Sequence, residues 1–252
     1  MAPGAAAAVE QDDVRPRTPE APDHVVGGAR GEAAGGERVE AHDAVDHARD
    51  CICLPSVAVD PIAEIVADRE RARAAGDPLA DACVLATSDG HGAPSVRALV
   101  LRDVGAQGLG LLISSTSPKW EPLHGGRYEL LILWQTIHRQ YRVRGALAPM
   151  PDERVEEYWR RKVHASRLLD LYYDRVQPQS TPVASREAFI TAIETLRKSY
   201  PTPDAVPRPA QLRGIYLMPA RVEIWRGSSD RLHDRRLFTR AHDGWSEQVL
   251  VP

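Results

Sequence analysis

Apolar residues recur along this chain in two rhythms. Ile62, Ile65 and Val66 repeat at helical spacing, Asp60 can cap the segment, Pro61 suits its first turn and Gly76 ends it. The period then shortens to two. Ala82–Thr87 runs into the turn Asp89-Gly90-His91-Gly92 and on to Ser95–Leu101, a hairpin signal. Leu109–Ser114 is apolar and ends in the hydroxyl run Ser114-Ser115-Thr116-Ser117. Tyr128–Trp134 is almost wholly apolar, as a strand buried on both faces would be, and Arg139–Leu147 alternates polar with apolar.

Helical spacing returns from about Asp152 to Leu169. It returns again from Ser185 to about Lys198, where Phe189, Ala192, Ile193 and Leu196 form the expected buried stripe. Tyr200–Pro209 holds four prolines and reads as a loop. Three strands close the chain, Gly214–Trp225, Arg235–Arg240 and Trp245–Val251, the last two joined at His242-Asp243-Gly244. Roughly eight strands in meander order, with helices between them, predict a mainly β fold: an antiparallel barrel with appended α-helices.

Composition divides the 252 residues in two. Residues 1–50 hold 11 acidic against 5 basic side chains and no Phe, Trp or Tyr, while residues 51–252 hold 27 basic against 24 acidic. The first stretch cannot bury enough apolar surface to offset its chain entropy, which predicts a disordered acidic leader over 1–55 and a folded domain over 56–252. The net charge of −3 gives no case for nucleic acid, and no run of about 18 apolar residues suggests a membrane span. Three cysteines, Cys51, Cys53 and Cys83, suit a reduced cytoplasmic protein, and the nine histidines do not cluster at metal-ligand spacing.

Several groups of residues carry chemical potential. Arg97 to Arg102, followed by Ser114 to Lys119, sets basic side chains on one strand against a hydroxyl-rich loop on the next, a plausible phosphate cradle or a solvated loop. Tyr158, Lys162 and Ser166 are spaced by four on the expected helix and would share a face that could hold a second anion. Gln140 offers an amide that donates and accepts at once, which suits a heterocycle edge. Near the C-terminus, Trp225 is followed by Arg231, His233 and Arg235 at alternate positions. On a strand these would point one way, toward an anion or an electron-rich ring, unless Asp230 and Asp234 neutralise them as ion-pair partners. No P-loop, Gly-x-Gly-x-x-Gly, Gly-x-Ser-x-Gly or His-Glu-x-x-His occurs. Two anion cradles without a nucleophile or metal suit an organic cofactor that performs the redox chemistry itself.

In this order the motifs resemble the pyridoxamine 5′-phosphate oxidase family, the FMN-binding split-barrel flavoproteins, over about Asp60 to Pro252. The most specific piece is Glu223-Ile224-Trp225, Arg231-Leu232-His233-Asp234-Arg235, Gly244-Trp245 and Pro252, joined by Arg97-x-x-x-Leu101, Ser117-x-Lys119 and Arg139-Gln140. The resemblance implies an FMN-binding split β-barrel of antiparallel, Greek-key-like order, working as a homodimer. It places FMN contacts at Arg97, Ala98, Leu99, Val100, Arg102, Ile113, Ser114, Lys119 and Gln140, with Gln179, Ser180, Trp225 and Arg235 brought by a second subunit. Substrate contacts fall on Arg102, Tyr158, Lys162 and Ser166 for a phosphate and on Arg231 and His233 over the ring, these last two being the expected catalytic pair.

The implied reaction is hydride transfer from pyridoxamine or pyridoxine 5′-phosphate to FMN, with dioxygen as acceptor, yielding pyridoxal 5′-phosphate and hydrogen peroxide. A second reading is a secondary-metabolism oxidase of the phenazine-pathway type, acting on a dihydro-aromatic precursor. A third is a flavin- or haem-binding module without turnover. Arg102 stands where the family usually has lysine, Lys162 where it usually has arginine, and Arg167–Pro178 departs from the family pattern. The altered Arg167–Pro178 segment favours the second reading, but the first leads, because cationic or hydroxyl groups stand at all four matching phosphate positions, Arg102, Tyr158, Lys162 and Ser166.

Overall fold

The computed structural model describes residues 59–252. The acidic leader and Cys51 and Cys53 lie outside the described residues. Helix α1 spans Pro61–Ala74, and the Asp60 carboxylate accepts the Ile62 N–H at 2.9 Å, the capping bond its sequence position promised. Gly76 follows at φ +71, the left-handed conformation that releases the chain from the helix.

The strands are β1 (Ala82–Ser88), β2 (Pro94–Val100), β3 (Val104–Gly105), β4 (Gly108–Ser114), β5 (Tyr128–Trp134), β6 (Arg139–Pro149), β7 (Leu212–Arg226), β8 (Asp234–Ala241) and β9 (Gly244–Leu250). All pair antiparallel in one sheet of order β2-β1-β5-β6-β7-β4-β3, with β8 joining β7 and β9 joining β8. The meander expectation therefore fails between β2 and β5. The β3–β4 hairpin lies at the far side of the sheet, paired through Leu109–Ser114 to Leu217–Leu212 of β7.

Strand β7 explains why the sheet divides. It pairs with β6 along nearly its whole length, with β4 through its first half and with β8 through Arg221–Arg226. The β6–β7 ladder shifts register between Arg144 and Gly145. A Cβ on Gly145 would stand 1.8 Å from the Met218 carbonyl oxygen, so only glycine admits this approach.

One sheet face packs into the core. Leu85, Leu130, Ile132, Trp134, Tyr141, Val143, Val222, Ile224 and Phe238 alternate inward and meet Ile65 and Ala72 of α1. Asp68 of α1, itself buried, accepts the Tyr141 hydroxyl at 2.5 Å and Arg139 Nε at 3.1 Å, which ties the helix to β6.

Helix α2 (Trp120–His124) closes the loop after β4. The expected helix over Asp152–Leu169 is broken. Helix α3 runs Asp152–Arg161, α4 runs His164–Arg175, and Lys162 and Val163 between them are extended at ψ 137 and ψ 152. Arg167 stabilises the joint by donating to the Lys162 and Arg160 carbonyls at 3.1 and 2.6 Å, which occupies acceptors a continuous helix would have used. Helix α5 (Arg186–Ser199) is capped by Ser185 as expected. Its stripe of Phe189, Ala192, Ile193 and Leu196 is only half-buried, with Phe189 edge-on to Tyr172 at 5.0 Å.

Candidate active site

Arg97 on β2 pairs in register with Leu85 on β1, so its side chain shares the core-facing side of the sheet. Its guanidinium donates to Thr87 Oγ1 at 2.6 Å and to Ser95 Oγ at 2.6 Å. Burial lowers its pKa, and the same guanidinium acts on its neighbour Lys119. Lys119 is only 8% exposed. Loss of hydration, and then the Arg97 charge, bring its ammonium down to about 8 from an ordinary 10.5. It donates to Ser117 Oγ and, at 2.8 Å, to Gln179 Oε1. No carboxylate pairs with it among the described residues. A buried cation held by neutral oxygens beside a second cation fits the anionic end of a phosphorylated cofactor.

The neighbouring loop offers Ser114 Oγ, 2.8 Å from Thr116 Oγ1. Ala98, Leu99 and Val100 lie on β2, which pairs only with β1 and so leaves one backbone edge unpaired. The Ile113 side chain is buried in the core and leaves only its backbone for a ligand. Ser180 sits beside Gln179 at φ +68. Gln179 meets Lys119 of its own chain, whereas the resemblance implied that a second subunit supplies it.

The other face of the sheet carries a row across three strands. Gln140 on β6 stands opposite Trp225 on β7, and Trp225 stands opposite Arg235 on β8, so the three side chains share one line on one face. Gln140 makes no side-chain hydrogen bond to another described residue, so its amide is available to a ring edge. Arg235 donates to Glu223 Oε1 at 2.7 Å and to the Val251 carbonyl at 3.0 Å. Trp225 and Arg235 thus lie on the face opposite to Arg97.

The expectation that Arg231, His233 and Arg235 alternate along a strand is overturned. Residues 227–233 form a turn, and Arg231 is left-handed at φ +66. Asp230 accepts the Ser228 hydroxyl and the Leu232 N–H, while Asp234 pairs with Arg226 and Arg236. Neither aspartate pairs with Arg231. Its guanidinium is exposed, with no hydrogen bond or ion pair among the described residues. His233 leans on Trp225 with ring centroids 4.7 Å apart, and its Nδ1 accepts the Ser228 N–H at 3.1 Å. That bond assigns the proton of the neutral ring to Nε2.

The helix break divides the second anion cradle between two helices. Tyr158 lies on α3, Lys162 at the joint and Ser166 on α4, so they do not share one helix face. The Tyr158 hydroxyl donates to Asp103, which also takes Arg154 Nη2 at 2.7 Å and the Tyr216 hydroxyl at 2.9 Å. Burial works against the charge on Asp103, but these donors hold its carboxyl below the usual range, and burial and Asp103 together push the Tyr158 phenol up. Lys162 pairs with Asp170. Arg102 is half-buried, its pKa lowered by burial, and its guanidinium stands 5.9 Å from the Tyr158 ring without a hydrogen-bonding partner among the described residues. The sequence missed Asp103 and Asp170, because nothing in their spacing separates them from surface acids.

Among the described residues there is no group of three or more His, Cys, Asp or Glu arranged to hold a metal, and no helix is long and apolar enough to cross a membrane. A groove of about 430 Å³ beside Thr87, Glu129 and Arg144 and another of about 520 Å³ beside Asp103, Arg154 and Tyr216 are not lined by Gln140, Trp225 or Arg235. Gln140, Trp225 and Arg235 are each half-buried.

A curled antiparallel sheet that divides along one long strand and carries helices at its ends is a split barrel. The same fold occurs in a pyridoxamine 5′-phosphate oxidase-related, FMN binding protein from Nostoc punctiforme, which is 19% identical with a TM-score of 0.58 and covers 77% of this chain and 99% of its own. PhzG from Burkholderia lata 383, solved in complex with tetrahydrophenazine-1-carboxylic acid, is 26% identical with a TM-score of 0.68, covering 77% of this chain and 93% of its own. Residues 213–252 match the family model for the pyridoxine 5′-phosphate oxidase C-terminal dimerisation region. The pyridoxine/pyridoxamine 5′-phosphate oxidase of Anaeromyxobacter dehalogenans is 35% identical over 199 residues, 79% of this chain and 98% of that protein. Its counterpart from Erythrobacter litoralis is 34% identical over 200 residues, 77% of this chain and 91% of that protein. The chain belongs to the pyridoxine/pyridoxamine 5′-phosphate oxidase family and is an oxidoreductase of that family.

Proposed function

We propose that this chain is a cytoplasmic, homodimeric FMN-dependent oxidase whose leading substrate is pyridoxine or pyridoxamine 5′-phosphate. The observation that carries the cofactor is Lys119, a buried ammonium without a carboxylate partner among the described residues, set beside Arg97. The dimer is supported by the match of residues 213–252, which include Trp225 and Arg235, to the family's C-terminal dimerisation region.

Bound FMN would accept a hydride from the substrate carbon that bears the amine or alcohol, and dioxygen would reoxidise it with release of hydrogen peroxide. The protein supplies position and charge. Arg97, Lys119 and Ser114 hold the ribityl phosphate, the backbone of Ala98 to Val100 and of Ile113 lines the ribityl chain, and the Gln140 amide meets the ring edge. Gln179 and Ser180 join Lys119 from the same chain, and Trp225 and Arg235 complete the site from the neighbouring subunit. Arg102, Tyr158, Lys162 and Ser166 face the substrate's anionic group. Arg231, with no partner among the described residues to release first, holds the substrate ring against the flavin, and His233 borders it with Nε2–H as donor.

A second reading has an observation of its own. Asp103 and Asp170 stand against Tyr158 and Lys162, so the cradle expected for a phosphate dianion is partly neutralised. A singly charged aromatic acid needs less positive charge, and the likeness to PhzG points the same way. One experiment tests both readings. The purified protein is examined for a flavin absorption spectrum, then mixed with pyridoxamine 5′-phosphate under air-free conditions. Bleaching, followed by peroxide on admitting air, supports the first substrate. A yellow protein that bleaches only with a dihydrophenazine carboxylic acid supports the second. A colourless protein that takes up no added FMN overturns the cofactor assignment.

A further inference from the structure

Glu223 is charged and only 3% exposed, yet it lies on β7 in the sheet face that carries Trp225. Each of its oxygens is taken by a different arginine. Oε1 accepts from Arg235 Nη2 at 2.7 Å and Nε at 3.3 Å, and Oε2 accepts from Arg142 Nη1 at 3.2 Å. Arg142 stands directly opposite Glu223 across the β6–β7 ladder, one same-face step behind Gln140 and Trp225. Arg235 comes from the other side, on β8, and spends its remaining amino group on the Val251 carbonyl at 3.0 Å.

We infer that Glu223 is a positioning residue: with the Val251 carbonyl it clamps the Arg235 guanidinium at a fixed place beside Trp225. This rests on the reading of Arg235 as a flavin contact and goes beyond it, because Glu223 itself need touch no ligand. The physical case is the burial. A carboxylate taken this far out of water is costly unless its donors are fixed. The same fixing removes rotamer freedom from Arg235, which would otherwise be lost on each binding event. Arg142 balances the second oxygen, so Arg235 is held by one oxygen through two N–H groups and keeps its planar face free.

The test uses the full-length chain, stripped of cofactor and titrated with FMN by fluorescence quenching. Glu223→Gln should weaken FMN at least tenfold, and Glu223→Asp should recover part of the loss. In an Arg235→Ala background, Glu223→Gln should add less than twofold, because its effect runs through that arginine. Deleting Val251 and Pro252 releases the other side of the clamp without touching the buried carboxylate, and should weaken FMN several-fold; this variant serves if Glu223→Gln does not fold. Parent-like FMN affinity in Glu223→Gln, or in the deletion, overturns the clamp, and so does a Glu223→Gln loss that persists in full without Arg235. A parent protein that binds no FMN instead overturns the cofactor reading beneath it.

Discussion

Lys119 and Gln179 lie 60 residues apart and are joined by a 2.8 Å hydrogen bond from ammonium to amide oxygen. The lysine is thereby poised rather than neutralised, since an amide oxygen leaves its charge in place. Any anion that reaches it gains a nearly dehydrated cation.

The first prediction concerns pH. Lys119 is brought to about 8 from 10.5, so between those values the unfolded chain binds the proton that the folded chain has released. This group's contribution to stability therefore rises with pH across that window. Anion binding has the opposite sign, since it needs the charged lysine. The affinity of cofactor-free protein for FMN should fall as pH rises from 7.5 to 9.5, and Lys119→Arg should flatten that profile. Titrations at four pH values would decide it.

Arg231→Ala should leave FMN bound while slowing anaerobic flavin reduction more than tenfold, which is about 1.4 kcal/mol or more of transition-state positioning. Stopped-flow absorbance reads this directly. An unaltered reduction rate would remove Arg231 from the substrate side.

Asp170→Asn removes the carboxylate that pairs with Lys162 and acts on Arg102. Affinity for pyridoxal 5′-phosphate should rise about three- to tenfold, while unphosphorylated pyridoxal should be unaffected. Equal effects on both ligands would place Asp170 away from the phosphate end.

Gly145→Ala drives a methyl group into the Met218 carbonyl. The β6–β7 ladder must open locally, at a cost of about 1–3 kcal/mol, and the melting temperature should drop by several degrees. Parent-like melting would mean that the backbone relaxes there at no cost.

Much of the scaffold was legible in the sequence. Tyr128–Trp134 emerged with its expected ends because all but Glu129 are apolar or aromatic and the Gly125-Gly126 pair stands just before it. Asp60 and Ser185 cap their helices because their side-chain oxygens accept the otherwise free first-turn N–H groups of Ile62 and Ala188. What failed was non-local. The break at Lys162–Val163 depends on Arg167 reaching back to carbonyls, and helical periodicity passes through that point undisturbed. The turn over 227–233 defeated the alternation rule because Asp230 binds its own loop, a local bond that competes with strand geometry. The site roles rest on resemblance, and geometry adds the opposed faces and the two unforeseen carboxylates, Asp103 and Asp170.

Strand β7 touches β4, β6 and β8, and its Leu217 meets Leu109, 108 residues earlier in the chain. A chain emerging from the ribosome can zip its early hairpins, yet it has nothing to seal them against until residue 212 onward has been made. Contacts so distant in sequence slow closure and leave half-finished sheets exposed meanwhile. Synthesis of the final forty residues is thus the moment at which the nascent polypeptide escapes the risk of sticking to its neighbours.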